Sequence, residues 1–422
     1  MKNPLNDWKQ IPFQEFAAFN PRESLQKGQV AKHVGMENIQ PFTRKVPVYS
    51  EKAFGGGSKF VNGDTLLARI TPCLENGKTA QVDFLMSGEV GFGSTEFIVL
   101  REKQNVSDNN FLFYFSISPR FRSEAIKSMS GTSGRQRVQT DSIAKTEFAF
   151  PALKEQKAIA AVLSSLDDKI ELLREQNKSI EAIAQVLFKR WFVDFEFPNE
   201  KGKPYKSSGG KMVDSELGEI PEGWNIETVG NVTVAVTKGT TPTTIDGRFA
   251  DFGINFIKAE SINDQNGFDI AKFSHIDDRT NTLLKRSTVL DNDLLFTIAG
   301  TIGRFAIVTS DLLPANTNQA VAIIRVNREK LDPYYLNCAF KLKRTKEELF
   351  GNVVEAVQAN LSLTSIKECR FVLPSDAGKK LFIAHIKPLY TKKNANVLQT
   401  QTLSRLRDTL LPKLMKGEIR VN

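Results

Sequence analysis

The sequence predicts a duplicated α/β (α+β) protein: two globular modules joined by two long helices that pair as an antiparallel coiled coil, with pseudo-twofold character. Three observations predict this. Leu66, Leu67, Ala68, Arg69 and Ile70 return as Leu294, Leu295, Phe296, Thr297 and Ile298; Phe97 to Arg101 return as Val321 to Arg325; Ser142, Ile143 and Phe148 to Pro151 return as Ser365, Ile366 and Phe371 to Pro374. The offsets of 228 (Leu66 to Leu294), 224 (Arg101 to Arg325) and 223 (Pro151 to Pro374) keep the order with only small insertions. This is one module repeated, not a solenoid of short units.

The first module, 1–150, opens on Asp7-Trp8-Lys9, and the second, 223–375, on Gly223-Trp224-Asn225. Short apolar runs bounded by Gly, Pro and Asn follow, so strands are expected over 66–70, 80–85 and 97–100, and again over 294–298, 306–308 and 320–326. After Pro151 the pattern changes, because 154–195 lacks Gly and Pro. Leu163, Leu166, Ile170, Leu173, Asn177, Ile180, Ala184 and Leu187 recur at spacings of three and four, which is a helical seam within 151–197. A polar Asn177 on that seam is expected to fix register. The partner seam lies in 376–422, where Ile383, Ile386, Tyr390, Val397, Leu403, Leu406, Leu410 and Leu414 follow a looser spacing, with Pro388 expected to bend the helix. Between them, 198–222 is rich in Gly, Ser, Lys and Pro and reads as an exposed linker.

Composition narrows the function. Lys+Arg 57 against Asp+Glu 48 gives a net charge of +9 and a pI near 9.2, which suits a polyanionic partner without requiring one. Cys73, Cys338 and Cys369 are scattered and odd in number, so a reducing, cytoplasmic setting is expected and a disulfide framework is not. With no run of about 18 apolar residues, no membrane span is expected.

Several familiar site patterns fail on inspection. Asn76-Gly77-Lys78-Thr79 resembles the end of a phosphate loop, but Pro72 stands where that loop needs glycine. Asp332-Pro333-Tyr334-Tyr335 lacks the second proline of the methyltransferase motif, and its repeat partner is Asp108-Asn109-Asn110-Phe111, so both read as helix starts. His33, His275 and His385 are isolated from each other and from the cysteines, which leaves no metal set. Gly/Ser loops carrying cations and amides remain, and such loops approach phosphates and base edges closely. In the first half they hold Lys59, Arg69, Lys78, Ser133, Arg135 and Arg137. In the second they hold Lys238, Thr240, Thr241, Thr301, Arg304, Asn316, Asn318, Gln319, Gln358 and Asn360. An ordinary turn role competes at each position. Phe188, Trp191, Phe192, Val193, Phe195 and Phe197 cluster where the first helix ends, and read either as core against the helix ends or as a partner-docking surface.

Taken together, Ala68-Arg69-Ile70-Thr71-Pro72-Cys73-Leu74-Glu75-Asn76-Gly77-Lys78, Gly93-Ser94-Thr95-Glu96-Phe97, Phe188-Lys189-Arg190-Trp191-Phe192-Val193-Asp194-Phe195, Ile298-Ala299-Gly300-Thr301-Ile302-Gly303 and Leu411-Pro412-Lys413-Leu414-Met415-Lys416-Gly417-Glu418-Ile419 resemble the specificity subunit of bacterial type I restriction-modification systems. The resemblance spans almost the whole chain. It implies two target-recognition domains separated by two long helices, and a non-catalytic reader of double-stranded DNA. It also implies two modification (methyltransferase) subunits, which bring S-adenosylmethionine and methylate adenine N6, and restriction subunits that join for cleavage. Each domain would read half of a split target, and the helices would set the unread spacer. The family's base-contacting residues vary with target, so none is carried over. The competing reading is a duplicated protein-protein scaffold whose basic excess is incidental. A self-sufficient DNA-modifying enzyme is disfavoured by the missing cofactor motif.

Overall fold

The computed structural model describes residues 7–351 and 360–421. The chain divides into two compact units, one running to Glu175 and resuming at Asn396, the other spanning Gln176–Ala395. Each therefore contains a globular module together with part of each long helix.

In the first unit the strands are β1 (Lys9–Pro12), β2 (Ala17–Phe19), β3 (Val30–Val34), β4 (Ser50–Ala53), β5 (Ser58–Phe60), β6 (Thr65–Ala68), β7 (Thr79–Gln81), β8 (Gly91–Gly93), β9 (Phe97–Glu102), β10 (Met129–Ser130), β11 (Arg137–Val138) and β12 (Glu147–Phe150). β2-β9-β6-β7 is an antiparallel sheet, and β4-β3-β8-β5 is a second sheet whose inner pair, β3 and β8, runs parallel. β1 closes the module by pairing with β12.

The second unit repeats this plan with β13 (Met212–Val213), β14 (Ile220–Pro221), β15 (Asn225–Thr228), β16 (Thr233–Lys238), β17 (Phe249–Ala250), β18 (Ile254–Ile257), β19 (Ser274–Ile276), β20 (Thr288–Val289), β21 (Leu294–Thr297), β22 (Phe305–Ile307), β23 (Ala315–Thr317), β24 (Val321–Val326) and β25 (Arg370–Leu373). Its sheets are β16-β24-β21-β22 and β17-β19-β18-β23-β20, with β18 parallel to β23 and β15 paired with β25. β17 is an added edge. The expected strands form with shifted ends: the run at 66–70 stops at Ala68, and that at 80–85 stops at Gln81.

Why these residues give these elements is visible in both copies. β6 and β21 are fully buried four-residue apolar runs, the pattern of strands covered on both faces. The turn before each needs a left-handed residue, supplied by Gly63 at φ 90 and Asn292 at φ 66, the two residue types best suited to it. Next comes a buried aspartate, Asp64 or Asp293, which accepts a two-pronged pair from the arginine ending the neighbouring strand. Arg101 Nε and Nη2 lie 2.6 and 2.7 Å from Asp64, and Arg325 Nε and Nη2 lie 2.8 and 2.7 Å from Asp293. Asp108 and Asp332 then cap helices Asn109–Ile117 and Pro333–Ala339, accepting from Phe111 N and Tyr334 N. Both sites are helix starts.

The long helices span Leu153–Phe192 and Asp376–Met415, 40 residues each. The second continues through Pro388 as one helix. It ends where Gly417 takes φ 67 and Glu418 N bonds to Lys413 O, a glycine C-cap. In the first unit, Ile159 and Leu163 share a core with Leu411, Leu414 and Met415, while farther along Asp167 meets Arg407 at 2.7 Å. In the second unit, Glu181 meets Lys393 at 2.8 Å and Phe188 meets Phe382, ring centroids 5.6 Å apart. Advancing along one helix means retreating along the other, so the pairing within each unit is antiparallel.

Leu163, Ile170, Leu173 and Ile180 are buried on this seam, with Leu166, Asn177 and Leu187 half-buried. On the second helix Leu414 is buried and Leu403 and Leu410 are half-buried. Leu406 is a correction: it is 46% exposed, and Val397 likewise faces out. Arg407 occupies the inward position instead, because Asp167 across the seam supplies its counter-charge. The cluster is core apart from Val193, which is exposed. Phe188, Trp191 and Phe192 pack on Trp224, Tyr335 and Phe382 of their own unit, which leaves Trp191 and Phe192 about 5% exposed and without a free face for a partner. The segment 198–222 is mostly exposed but carries the β13-β14 pair and buries Ile220 and Pro221.

Candidate nucleic-acid interface

The loops singled out by composition converge on corresponding edges of the two modules. In the second unit the segment after β16 lies against the β23–β24 turn: Thr240 N donates to Thr317 O at 3.1 Å, and Gly239 N to Val321 O at 3.2 Å. A Cβ on Gly239 would sit 2.1 Å from Thr317 O, so only glycine permits this approach. The turn in turn holds the β21–β22 loop, through Ile298 N to Ala320 O at 2.8 Å, and Leu361 N reaches Ile298 O at 2.9 Å. Lys238, Thr240, Thr241, Thr301, Asn318, Gln319 and Asn360 thus border one surface. Gln358 lies outside the described residues.

The first unit uses the same places. The Gly93–Phe97 turn is its hub: a Cβ on Gly57 would meet Gly93 O at 2.0 Å, Ser58 Oγ donates to Phe97 O at 2.9 Å, and Arg69 N donates to Glu96 O at 3.0 Å. Beside it, Val138 N donates to Arg69 O, so the β10–β11 hairpin presents Ser133 and Arg135 at its exposed tip. The pairings of Val138 with Arg69 and of Leu361 with Ile298 occupy corresponding positions in the two copies, as do Thr65 opposite Leu100 and Leu294 opposite Ile324, so the structure shifts the expected match by one residue: Arg69 answers to Ile298, and Leu66 to Leu295 rather than Leu294.

Not every candidate is available to a ligand. Glu96 gathers two arginines, with Arg137 Nη2 at 2.7 Å and Nε at 3.0 Å from Oε1, and Arg69 Nε at 3.2 Å from Oε2. Arg137, then Arg69, hold the Glu96 carboxyl below the usual carboxylate range despite partial burial. Arg304 spends its guanidinium likewise: Nε and Nη2 reach Asp264 at 2.5 and 2.8 Å, and Nη1 donates to Ile262 O. These three arginines are pillars that brace loops, and Arg137 and Arg304 do so with two nitrogens each, a use that competes with reading guanine. Asn316 is a further correction. It is fully buried, donates to Asn281 Oδ1 and Leu284 O, and accepts from Thr317 N, so it stabilises the sheet and touches no ligand. Lys59 and Lys78 each donate to a backbone carbonyl, of Glu23 and Met36.

What remains outward is Ser133 and Arg135 in one unit and Lys238, Thr301, Gln319 and Asn360 in the other. Among the described residues the Arg135 side chain has no partner. Thr241 Oγ1 donates to Gln319 Oε1, which orients that amide with its NH2 free to donate. The sequence reading missed the two acids. Glu96 stood within a recognised string, whereas Asp264 precedes its arginine by 40 residues and carries no local signal. No group of three or more potential metal-ligating side chains occurs among the described residues.

Comparison with known proteins follows the same division. A family model described as Type I restriction modification DNA specificity domain matches residues 20–182 and again 221–400. The Type I restriction enzyme MjaIX specificity subunit of Methanocaldococcus jannaschii is 27% identical over 73% of this chain and 68% of its own length. The HindI specificity subunit of Haemophilus influenzae is 24% identical over 85% and 86%. The crystal structure of a type I restriction-modification S subunit from M. genitalium superposes with a TM-score of 0.57 at 15% identity, covering 96% of both chains, which supports the fold. With two copies of the domain covering most of its length, the chain belongs to the specificity subunits of type I restriction-modification systems.

Proposed function

We propose that each unit reads one half of a bipartite duplex DNA target through the surface just described, and that this chain delivers two modification subunits to that target. Those subunits would bind S-adenosylmethionine and methylate adenine N6, restriction subunits would join for cleavage, and this chain would perform no chemistry. The observation that carries the reading is the pairing of a shared scaffold with divergent edges. Asp64–Arg101 and Asp293–Arg325 are the same device twice, whereas at the offset that relates Pro151 to Pro374 the sequence replaces Ser133 and Arg135 with Ala356 and Gln358. Two similar frames with different tips suit two different half-sites. The basic excess supplies phosphate attraction, so duplex binding falls steeply with salt.

The test is a methyl-transfer assay of the assembled complex and of the chain alone, on duplexes carrying both half-sites, either one or neither. Transfer should need modification subunits and both half-sites. Methylation by the isolated chain, or salt-independent duplex binding as a scaffold would give, overturns the reading.

A further inference from the structure

Each unit brings one more loop to the edge described above. In the second unit it is the hairpin 262–268, in which Ile262 bridges to Phe268. Its root is fixed, because Ile262 is fully buried and Phe268 meets Phe273 edge to face, ring centroids 6.1 Å apart. Asn263 builds the tip: its Oδ1 accepts from Gln265 N at 3.0 Å and from Gly267 N at 3.1 Å, while Asn266 turns the chain at φ 55. The Asp264–Arg304 pair and the bond from Arg304 Nη1 to Ile262 O tie the hairpin to the β21–β22 loop. Ile298 N ties that loop in turn to the β23–β24 turn at Ala320 O. Gln265 is exposed at the tip, and its amide has no partner among the described residues.

The first unit carries the same loop in the same place. β3 runs parallel to β8 with Val34 opposite Gly93, as β18 runs parallel to β23 with Ile257 opposite Thr317. A short 3-10 turn follows each, Met36–Asn38 or Ala259–Ser261. The offset from Val34 to Ile257 is 223, that of Pro151 to Pro374, and it carries Ile39 to Ile262 and Phe42 to Gln265. The cation that grips the loop is shared as well. Ala68 N donates to Lys78 O as Thr297 N donates to Arg304 O, and Lys78 Nζ reaches Met36 O where Arg304 reaches Ile262 O. Only the tips differ in kind. Phe42 turns at φ 54, donates its N–H to Gly77 O and lays its ring 5.0 Å from the Arg122 guanidinium. An amide that donates and accepts thus stands where the other copy has a ring that does neither.

A glutamine amide matches adenine in the major groove, accepting from N6 and donating to N7, and that groove is wide enough for a two-stranded hairpin. A side chain that only shapes a turn spends its polar atoms on the backbone, as Asn263 does two residues earlier. We infer that Gln265 is a specificity-determining residue that reads an adenine edge in the half-site of the second unit, with Asp264 and Arg304 as its positioning pair. The inference rests on the DNA reading proposed above. The corresponding loop of the first unit makes no such contact, so the two half-sites differ at this position.

The test takes the full chain assembled with its modification subunits, selects from duplexes randomised over about 20 base pairs, two helical turns, and sequences what is retained. The unaltered chain should yield a bipartite motif. Gln265→Ala should reduce the preference for one A·T pair, in one half only, from roughly 5- to 100-fold to near parity, with every other position and the melting temperature unchanged. Replacing that adenine by 7-deazaadenine, which lacks the N7 acceptor, should weaken binding by the unaltered chain and leave Gln265→Ala indifferent. Asp264→Ala should relax the same pair, and Asp264→Glu, which returns a carboxylate to Arg304, should restore it. A motif that Gln265→Ala leaves intact, relaxation in both halves, or equal sensitivity of the two chains to 7-deazaadenine would overturn the inference and leave the DNA reading standing. Absence of a bipartite motif from the unaltered chain would overturn that reading, and the inference with it.

Discussion

Arg135 and Glu96 show how one surface divides labour between exposed tips and support. Arg135 projects from the β10–β11 tip without a protein partner, so its truncation leaves the fold alone, as exposed substitutions usually do. Arg135→Ala should weaken binding to one half-site by about 1–3 kcal/mol and leave the other half-site's sequence preference intact; competition with singly altered duplexes measures this. Glu96→Gln should act differently, releasing Arg69 and Arg137 together and relaxing discrimination at the same half-site. Thiol chemistry offers an independent check on burial. Cys338 and Cys369 are buried, and burial pushes both thiols up to about 12, so at pH 8 almost no thiolate forms. Iodoacetamide should therefore label the half-buried Cys73 well before either, as mass spectrometry of the native protein would show; equal labelling of all three would contradict the packing.

At the scale of the element, the paired long helices carry their charges in layers. Asp167 and Glu181 lie two heptads apart on the first helix, and Lys393 and Arg407 two heptads apart on the second, so inward acids sit on one partner and inward bases on the other. Removing one member leaves the other buried and uncompensated, at a cost of about 3–5 kcal/mol; Arg407→Ala should lower the melting temperature accordingly, and Asp167→Asn in the same chain should recover part of it. Burial raises the Glu181 carboxyl, but Lys341 and Lys393 outweigh it and hold the group below its ordinary 4.5. A depressed carboxylate stabilises the fold above its unfolded pKa, and that contribution is lost as pH falls through the folded value. Melting below about pH 4.5 should thus show a slope that Glu181→Gln reduces. These layers explain what the sequence disclosed and what it hid. The three-and-four spacing of Leu163, Ile170 and Leu173 is a local signal and located the first seam. Hydropathy ranks Leu406 inside ahead of Arg407, whose burial depends on Asp167, far away in sequence. The β6 and β9 runs were legible because strands buried on both faces are uniformly apolar. Which loop cations face out was not, since Glu96 and Asp264 consume their arginines through contacts made only on folding.

For the whole molecule, the proposed reading rests on two similar units and the helices continuous between them. Lengthening both long helices by matched whole turns should change the spacer tolerated between half-sites while their sequences stay fixed. Mapping methylated adenines in cells carrying the lengthened chain would detect it, and altered half-site sequences would contradict it. Exchange of residues 1–150 for those of another family member should replace one half-site only. The structure sets a condition on any such exchange. Tyr114, inside the exchanged segment, donates to Asp167 Oδ2 at 2.7 Å, just beyond it. Lys341 binds Glu181 in the same way from the second module. Each module is thus keyed to its stalk by polar teeth, in the first module also by Arg44 on Asp168 and by Asp108 N and Val106 O on Gln156, and an imported module fits only if it brings partners to those notches. Recombination among such proteins would then be filtered first by a hydroxyl or an ammonium far from any base, and only afterwards by the DNA sequence that the new module reads.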